Sequence, residues 1–298
     1  MSNKIKNNVM PENWFDCLPR PQYASLLKIE AADPWFSVYQ LRSNIFALYE
    51  DKHFQEVISY LIIGSDKALL IDTGLGIGDI CKTVTALYDG EITVAHTHTH
   101  FDHIGGDHQF RESYVLNNEV ALKRLRRGLD HEEVKSNVED GCNSEPYPAG
   151  FSREDYCIKP ANKVHTFEEG FTFDLGNIRL EVLETPGHSP DSVMFVDRDN
   201  KLLFTGDTFY PASLYAHISH NDGSDSNFQT YHDTIRKLAS AYCDYTLLTS
   251  HNEPLRCGIE LLKVLKAFDD IAEGSAEYVT DENNLRKYQF EDFAVITK

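Results

Sequence analysis

Apolar and polar residues alternate from Trp35 to Tyr49, the two-residue period of a half-buried strand, and predict one or two strands there. Glu56 to Ile63 (E-V-I-S-Y-L-I-I) and Lys67 to Asp72 (K-A-L-L-I-D) flank Gly64-Ser65-Asp66 and read as a hairpin. Gly76 to Tyr88 then has a helical pattern. Glu91 to Ala95 is short, carries β-branched Ile92, Thr93 and Val94, and reads as a buried strand. Glu112 to Leu116 predicts a further strand and Asn118 to Arg127 a helix. Gly128 to Pro160 breaks the rhythm: it is polar, rich in Asp, Glu, Ser and Pro, and shows no clear period. A segment of that length inside a compact domain is usually functional or mobile, so about 128–160 is read as an insertion overhanging the site. Its aromatics Tyr147, Phe151 and Tyr156 serve either as a pocket wall or to pack it onto the body. Strands resume over Thr172 to Glu184, twice, across Gly176-Asn177, and again over Lys201 to Asp207 and Asp244 to Thr249. Helical periods cover Asn227 to Ala241 and Arg256 to Ala272, and Tyr278 to Ile296 adds a strand or two. Residues 1 to about 30 read as a loosely held arm. The order predicts two βα halves packed face to face, helices outside, in one domain over 1–298.

The chain has 298 residues, enough for a large core, and a formal net charge of −19. Nucleic-acid enzymes usually carry a basic footprint; here the only dense basic run is Lys123-Arg124-Leu125-Arg126-Arg127, read as a solvated helix face. No long apolar span is present, so no membrane partner is expected. Met1 to Arg20 lacks an apolar h-region, and the six cysteines show no C-x-x-C spacing. Both fit reduced thiols in a cytoplasmic protein, and nothing supports Cys142 or Cys157 as a nucleophile.

Candidate chemistry is concentrated between Val94 and Gly106, V-A-H-T-H-T-H-F-D-H-I-G-G. His98, His100, Asp102 and His103 are ligand types for zinc, iron and their neighbours. Alternate residues of an extended segment share a side, which lets His98, His100 and Asp102 converge; the chain must turn at His103, where Gly105 and Gly106 follow. Four ligands in six residues crowd a single ion, so the spacing points to two metals and to more ligands downstream. A carboxylate ending the apolar strand at Asp207 needs a partner in turn.

T-H-T-H-F-D-H-I-G-G resembles the signature of the metallo-β-lactamase superfamily, in the branch with glyoxalase II and the N-acyl-homoserine lactonases. The resemblance runs over roughly Val57 to Pro254 and includes I-D-T-G (71–74), T-P-G-H-S-P-D-S (185–192), the acid at Asp207 and the histidine at His251. It implies an α/β fold, the four-layer αββα sandwich. It implies one metal on His98, His100 and His188, a second on Asp102, His103 and His251, and Asp207 as bridge. Asp72 becomes a residue behind the metals that orients a ligand histidine, compatible with capping the following helix. The cofactors are two divalent ions, Zn²⁺ foremost, with Fe or Mn admissible. True β-lactamases of the superfamily carry Cys at the place of Asp207, so antibiotic hydrolysis is not the expected activity. The implied reaction is cleavage of an ester-like bond in a small molecule, a lactone or thioester, by metal-bound hydroxide. Asp102 orients the hydroxide or passes its proton to the leaving group. Tyr210, three residues past the bridging acid, either donates its hydroxyl over the metals or orders the Phe209–Tyr215 loop. A small-molecule phosphodiesterase, an iron-dependent persulfide dioxygenase and a non-catalytic metal sensor are the alternatives. Oligomeric state is not implied.

Overall fold

The computed structural model describes residues 13–219, 223, 225–281 and 283–298; the first twelve residues of the arm anticipated above lie outside them. The first sheet follows the chain in order: β1 (Leu27–Ile29), β2 (Ser37–Arg42), β3 (Ile45–Tyr49), β4 (Ile58–Ile63), β5 (Ala68–Ile71), β6 (Ile92–Ala95), β7 (Ser113–Leu116) and β8 (Val164–Phe167). Pairing is antiparallel as far as β4–β5, then parallel from β5 to β8. The parallel steps need crossovers. These hold α1 (Ile80–Leu87), the single turn α2 (Phe101–Ile104), α3 (Glu119–Arg127) and α4 (His131–Val134). Side chains cap three of these starts, Asp79 on α1, Asn118 on α3 and Asp130 on α4, which satisfies backbone N–H groups the helices leave open.

The second half holds β9 (Thr172–Asp174), β10 (Arg179–Glu184), β11 (Val193–Asp197), β12 (Leu202–Phe204), β13 (Ser213–Tyr215), α5 (Phe228–Tyr242), β14 (Thr246–Leu248), β15 (Leu255–Cys257) and α6 (Glu260–Ala272). Its sheet runs β15-β14-β12-β11-β10-β9, with β12 and β14 the parallel pair. A smaller sheet joins β13 to β16 (Val279–Thr280), β17 (Arg286–Gln289) and β18 (Ala294–Thr297).

Three apolar layers separate four layers of backbone. The central one takes Tyr60, Ile62 and Ile71 from the first sheet and Leu180, Phe195 and Phe204 from the second. A second layer packs Leu61, Leu70 and Val94 against Val84 of α1 and Leu125 of α3. A third packs Val196, Leu203 and Leu247 against Ile235 of α5 and Val264 of α6. Strands buried on both faces read as continuous apolar runs, which is why I-S-Y-L-I-I and A-L-L-I were visible in the sequence. The architecture is the αββα sandwich.

Two expectations are corrected, the loose arm and the start of the last helix, while the 128–160 segment both packs on the body and lines a cavity. The arm is docked from Arg20 onward: the Arg20 guanidinium makes two 2.6 Å contacts to the Glu56 carboxylate, and both side chains are buried. Tyr23 stacks on Tyr49 at 4.4 Å, and Gln22 exchanges two hydrogen bonds with the Leu255 backbone. Helix α6 starts at Glu260, because Leu255 to Cys257 is consumed by strand β15. Segment 128–160 is packed on the body: Leu129, Val134, Val138, Tyr156 and Ile158 join the second apolar layer, and the Tyr156 hydroxyl donates to Leu75 O at 2.8 Å. No helix among the described residues is long and apolar enough to cross a membrane.

Candidate metal centre

Parallel pairs β5–β6 and β12–β14 end on the same side of the sandwich, where α/β sheets place their chemistry. Each strand end delivers one part of the site. After β5 comes Asp72, with a left-handed φ of 61°, a region that Asp tolerates better than most residues. After β6 comes the loop with His98 and His100, then α2 with Asp102 and His103. The turn therefore begins at Phe101, one residue before Asp102. Gly105 and Gly106 are there for space, not for unusual angles: Gly105 has a helical φ of −59°, and a Cβ on it would lie 2.2 Å from the Leu75 carbonyl carbon. After β12, Asp207 sits in the short Gly206–Thr208 turn, and after β14 comes His251. The Thr185–Ser192 turn closes the ring with His188. Its Gly187 has φ 147° and lies against Tyr231, whose Cα would be 2.3 Å from an added Cβ.

The side chains converge. His98 Nε2 and His188 Nε2 lie 3.0 and 2.9 Å from His100 Nδ1. A tetrahedral zinc at its usual Zn–N distance of about 2.0–2.1 Å holds ligand nitrogens roughly 3.3 Å apart, so the three imidazoles fit one ion. Asp207 Oδ1 lies 3.0 Å from His251 Nε2 and 3.2 Å from His103 Nε2, while Asp102 Oδ2 is 3.8 Å from each of those nitrogens. His103 Nε2, His251 Nε2 and Asp207 Oδ1 are buried and complete no hydrogen bond. Buried polar atoms without partners are rare, and three aimed at one point are the donor set of a cation. Among the described residues three groups can hold a metal: His98, His100 and His188; Asp102, His103 and His251; and His98, His103 and Asp207, which joins them.

Electrostatics agree with that reading. Burial together with the neighbouring His103 and His100 keeps the His98 imidazole well below its ordinary pKa, in the neutral form a metal takes. Burial works against charge on His103 too, but Asp207, Asp102 and Asp72 overcome it and hold that pKa well above the ordinary value. A proton there compensates the carboxylates that a cation would otherwise balance.

The Metallo-beta-lactamase superfamily model matches residues 56–251. The chain belongs to the metallo-β-lactamase superfamily. It is 32% identical over 204 residues to the acyl-coenzyme A thioesterase MBLAC2 of Gallus gallus, covering 64% of this chain and 72% of that protein. It is 26% identical over 199 residues to the atrochrysone carboxyl ACP thioesterase of Passalora fulva, covering 64% of this chain and 47% of that one. Among solved structures, an archaeal metallo-β-lactamase superfamily protein from Sulfolobus tokodaii superposes with a TM-score of 0.52 at 18% identity, over 80% of this chain and 89% of that one. The last likeness concerns the fold alone.

Within this superfamily site, the residues behind the ligands are specific to what surrounds them. Asp72 Oδ2 accepts from His103 Nδ1 and from Thr97 Oγ1, both at 2.8 Å, and Oδ1 accepts from Thr97 N at 2.8 Å. It does not cap α1; Asp79 does. Burial opposes its ionisation, yet His103 and His96 hold it well below the carboxylate range. His251 Nδ1 donates to Gln55 O at 2.6 Å, which leaves Nε2 for the site.

Tyr210 stands beside the ligands and lines the same cavity as they do. Its ring lies 4.7 Å from that of His251, but its hydroxyl donates to Ser213 O at 2.7 Å. That bond serves the loop-ordering role that the sequence also allowed. Sequence reasoning also missed two clips. Asp191 accepts from Thr99 N and Oγ1 at 2.9 and 2.6 Å, and Arg124 Nη1 donates to Thr99 O at 3.0 Å. Asp191 stood inside the quoted T-P-G-H-S-P-D-S motif; Arg124 was hidden in a basic run read as solvated.

A cavity of about 660 Å³ opens over the centre. His100, Asp102, His188, Asp207 and His251 face it from below, and α3, the 128–160 segment, Phe54 and the Tyr215–Ile218 stretch wall it.

Proposed function

We propose that this chain is a two-metal hydrolase that cleaves thioesters of small carriers. The observation that carries the reading is the convergence of seven buried ligand side chains, shared around Asp207, five of which line the floor of one cavity. His98, His100 and His188 would hold one ion and Asp102, His103 and His251 the other, with Asp207 between them. When bound, such a pair lowers the pKa of water to near ~7 and polarises a carbonyl oxygen.

The chain's own groups do the rest. Asp72 fixes the His103 tautomer, and Gln55 O fixes that of His251. Asp102, at the cavity floor, takes the proton of the attacking water and returns it to the sulfur as the acyl carbon–sulfur bond breaks. Water and thioester go to acid and thiol with no further reactant. The thioester class is supported by the two relatives named as thioesterases. The tyrosine three residues past Asp207 slightly favours a lactone, and its hydroxyl bonds Ser213 O.

The test is a panel of acyl thioesters, lactones and phosphodiesters assayed with the zinc-, manganese- and iron-loaded forms, alongside elemental analysis. Two ions per chain and fastest turnover on thioesters is the expected result. A fully active protein with a single iron per chain that oxidises persulfides, or one that prefers phosphodiesters, overturns it.

A further inference from the structure

The wall that α3 contributes to the cavity is basic, on a chain whose net charge is −19. Lys123, Arg124 and Arg127 all line it. Arg124 is buried and spans to the metal loop through Thr99 O. Lys123 and Arg127 are exposed and stand one helical turn apart, on one face of α3. Arg127 Nη2 contacts Glu133 at 2.7 Å, and Lys123 has no ion-pair partner among the described residues. Among the described residues no other lysine or arginine lines the cavity; the remaining wall away from the ligands includes Phe54, Leu129, Glu133, Val134 and Ile218.

Two cations serve no purpose toward a metal centre, which they repel. An acidic protein also repels an anionic substrate unless local charge offsets the field. Resting on the thioesterase reading, we infer that Lys123 and Arg127 bind a phosphate group on the thiol carrier of the substrate. The carrier lies along α3 and the acyl chain runs toward Phe54 and Ile218. Guanidinium and ammonium groups are the usual phosphate partners. The occupant is a small carrier rather than a carrier protein. Two cations suit one phosphate cluster, whereas the acidic face of a carrier protein would meet a chain whose net charge is −19.

The experiment compares hexanoyl-coenzyme A with hexanoyl-N-acetylcysteamine, the same thioester without phosphates, on wild type and on Lys123→Gln/Arg127→Gln. Metal content and melting temperature are measured on both proteins. The expected result is a fall of about tenfold or more in the ratio of kcat/KM between the charged and uncharged substrates, carried by KM, as loss of charged hydrogen bonds gives. Raising salt should shrink the wild-type ratio in the same direction. A ratio that stays at the wild-type value overturns the assignment, as does a preference for an acyl-carrier-protein thioester that the double variant abolishes. Binding of coenzyme A disulfide, measured by calorimetry, separates this inference from the reaction it rests on. If no thioester is hydrolysed but the disulfide binds and the double variant loses that binding, the reaction class is wrong and the phosphate site stands.

Discussion

Asp72→Asn is the substitution that tests how the centre is held. The change is isosteric, and Asn tolerates the left-handed backbone at this position, φ 61°, so the fold has no steric reason to move. Both carboxylate oxygens are pure acceptors here: Oδ1 takes Thr97 N, and Oδ2 takes Thr97 Oγ1 and His103 Nδ1. An amide has one acceptor oxygen. With its NH₂ at the Oδ1 place it meets the Thr97 N–H, donor against donor. With its NH₂ at the Oδ2 place it donates to His103 Nδ1, which drives the imidazole proton onto Nε2. That is the atom aimed at Asp207 and the second metal position. The first leaves Thr97 N without its acceptor and His103 with a weaker, uncharged one; the second turns the His103 ligand atom into a donor. Loss of such an outer partner costs 10–100-fold in metal affinity, about 1.4–2.7 kcal/mol.

The assay is a competition titration of the metal-free protein with zinc against a chromophoric chelator, read as two successive affinities, with circular dichroism as a check on the fold. The site of Asp102, His103 and His251 should weaken by that factor, while the site of His98, His100 and His188 stays within a few-fold of wild type. Two unchanged affinities in Asp72→Asn would refute the argument, since the His103 tautomer would then not depend on Asp72.

Four further outcomes follow. Asp207→Ala should lose one metal and most activity with the fold kept; full metal content and rate would place the bridge elsewhere. Arg20→Ala strands the buried Glu56 carboxylate and should cost about 3–5 kcal/mol in urea unfolding; a loss under 1 kcal/mol, the range of exposed pairs, would mean the arm is not held there. Burial lowers the His53 pKa to about 4, so below pH 6.5 the unfolded chain binds a proton the folded one refuses. The metal-free protein should lose about 2 kcal/mol between pH 7 and pH 5 from this residue, a slope that His53→Gln removes and that persists in the variant if the reasoning fails. Tyr210→Phe should leave kcat unchanged and lower stability by about 1 kcal/mol through the lost bond to Ser213 O, whereas a lower kcat at unchanged melting temperature and metal content restores the donor role.

What could be read from the sequence was what short range and period carry. The buried strands I-S-Y-L-I-I and A-L-L-I announce themselves because both faces are apolar. His98, His100, Asp102 and His103 do so because six residues at a strand end leave little freedom in where they point. Contacts across long separations left no such mark. Arg20 and Glu56 are 36 residues apart, and neither has a neighbour that betrays an ion pair, so the arm looked loose. Strand β15 is three residues, half-exposed and amphipathic, and its Leu255-Arg256-Cys257 merges with the period of the helix that follows. The basic run of α3 misled for a related reason. Composition gives its charge, but only tertiary packing shows that Arg124 is buried under the metal loop and that its neighbours face the cavity.

The clips behind the ligands run between the two halves of the sandwich. Gln55, between β3 and β4 of the first sheet, orients His251 of the second half. Asp191, on the turn after β10 of the second sheet, holds the Thr99 backbone of the first. The backbone N–H of Val193 donates to Thr97 O at 2.7 Å, a second tie between the Thr97–Thr99 loop and that turn. Each ligand loop is thus positioned by the opposite half, over a central apolar layer drawn from both sheets. Ties of this kind let the fold itself share in positioning the ligand loops, in contrast to small domains whose fold is the metal's binding energy. Asp102 and Asp207 face His103 and His251 in a buried space, so the charges there are balanced within a frame that both halves hold.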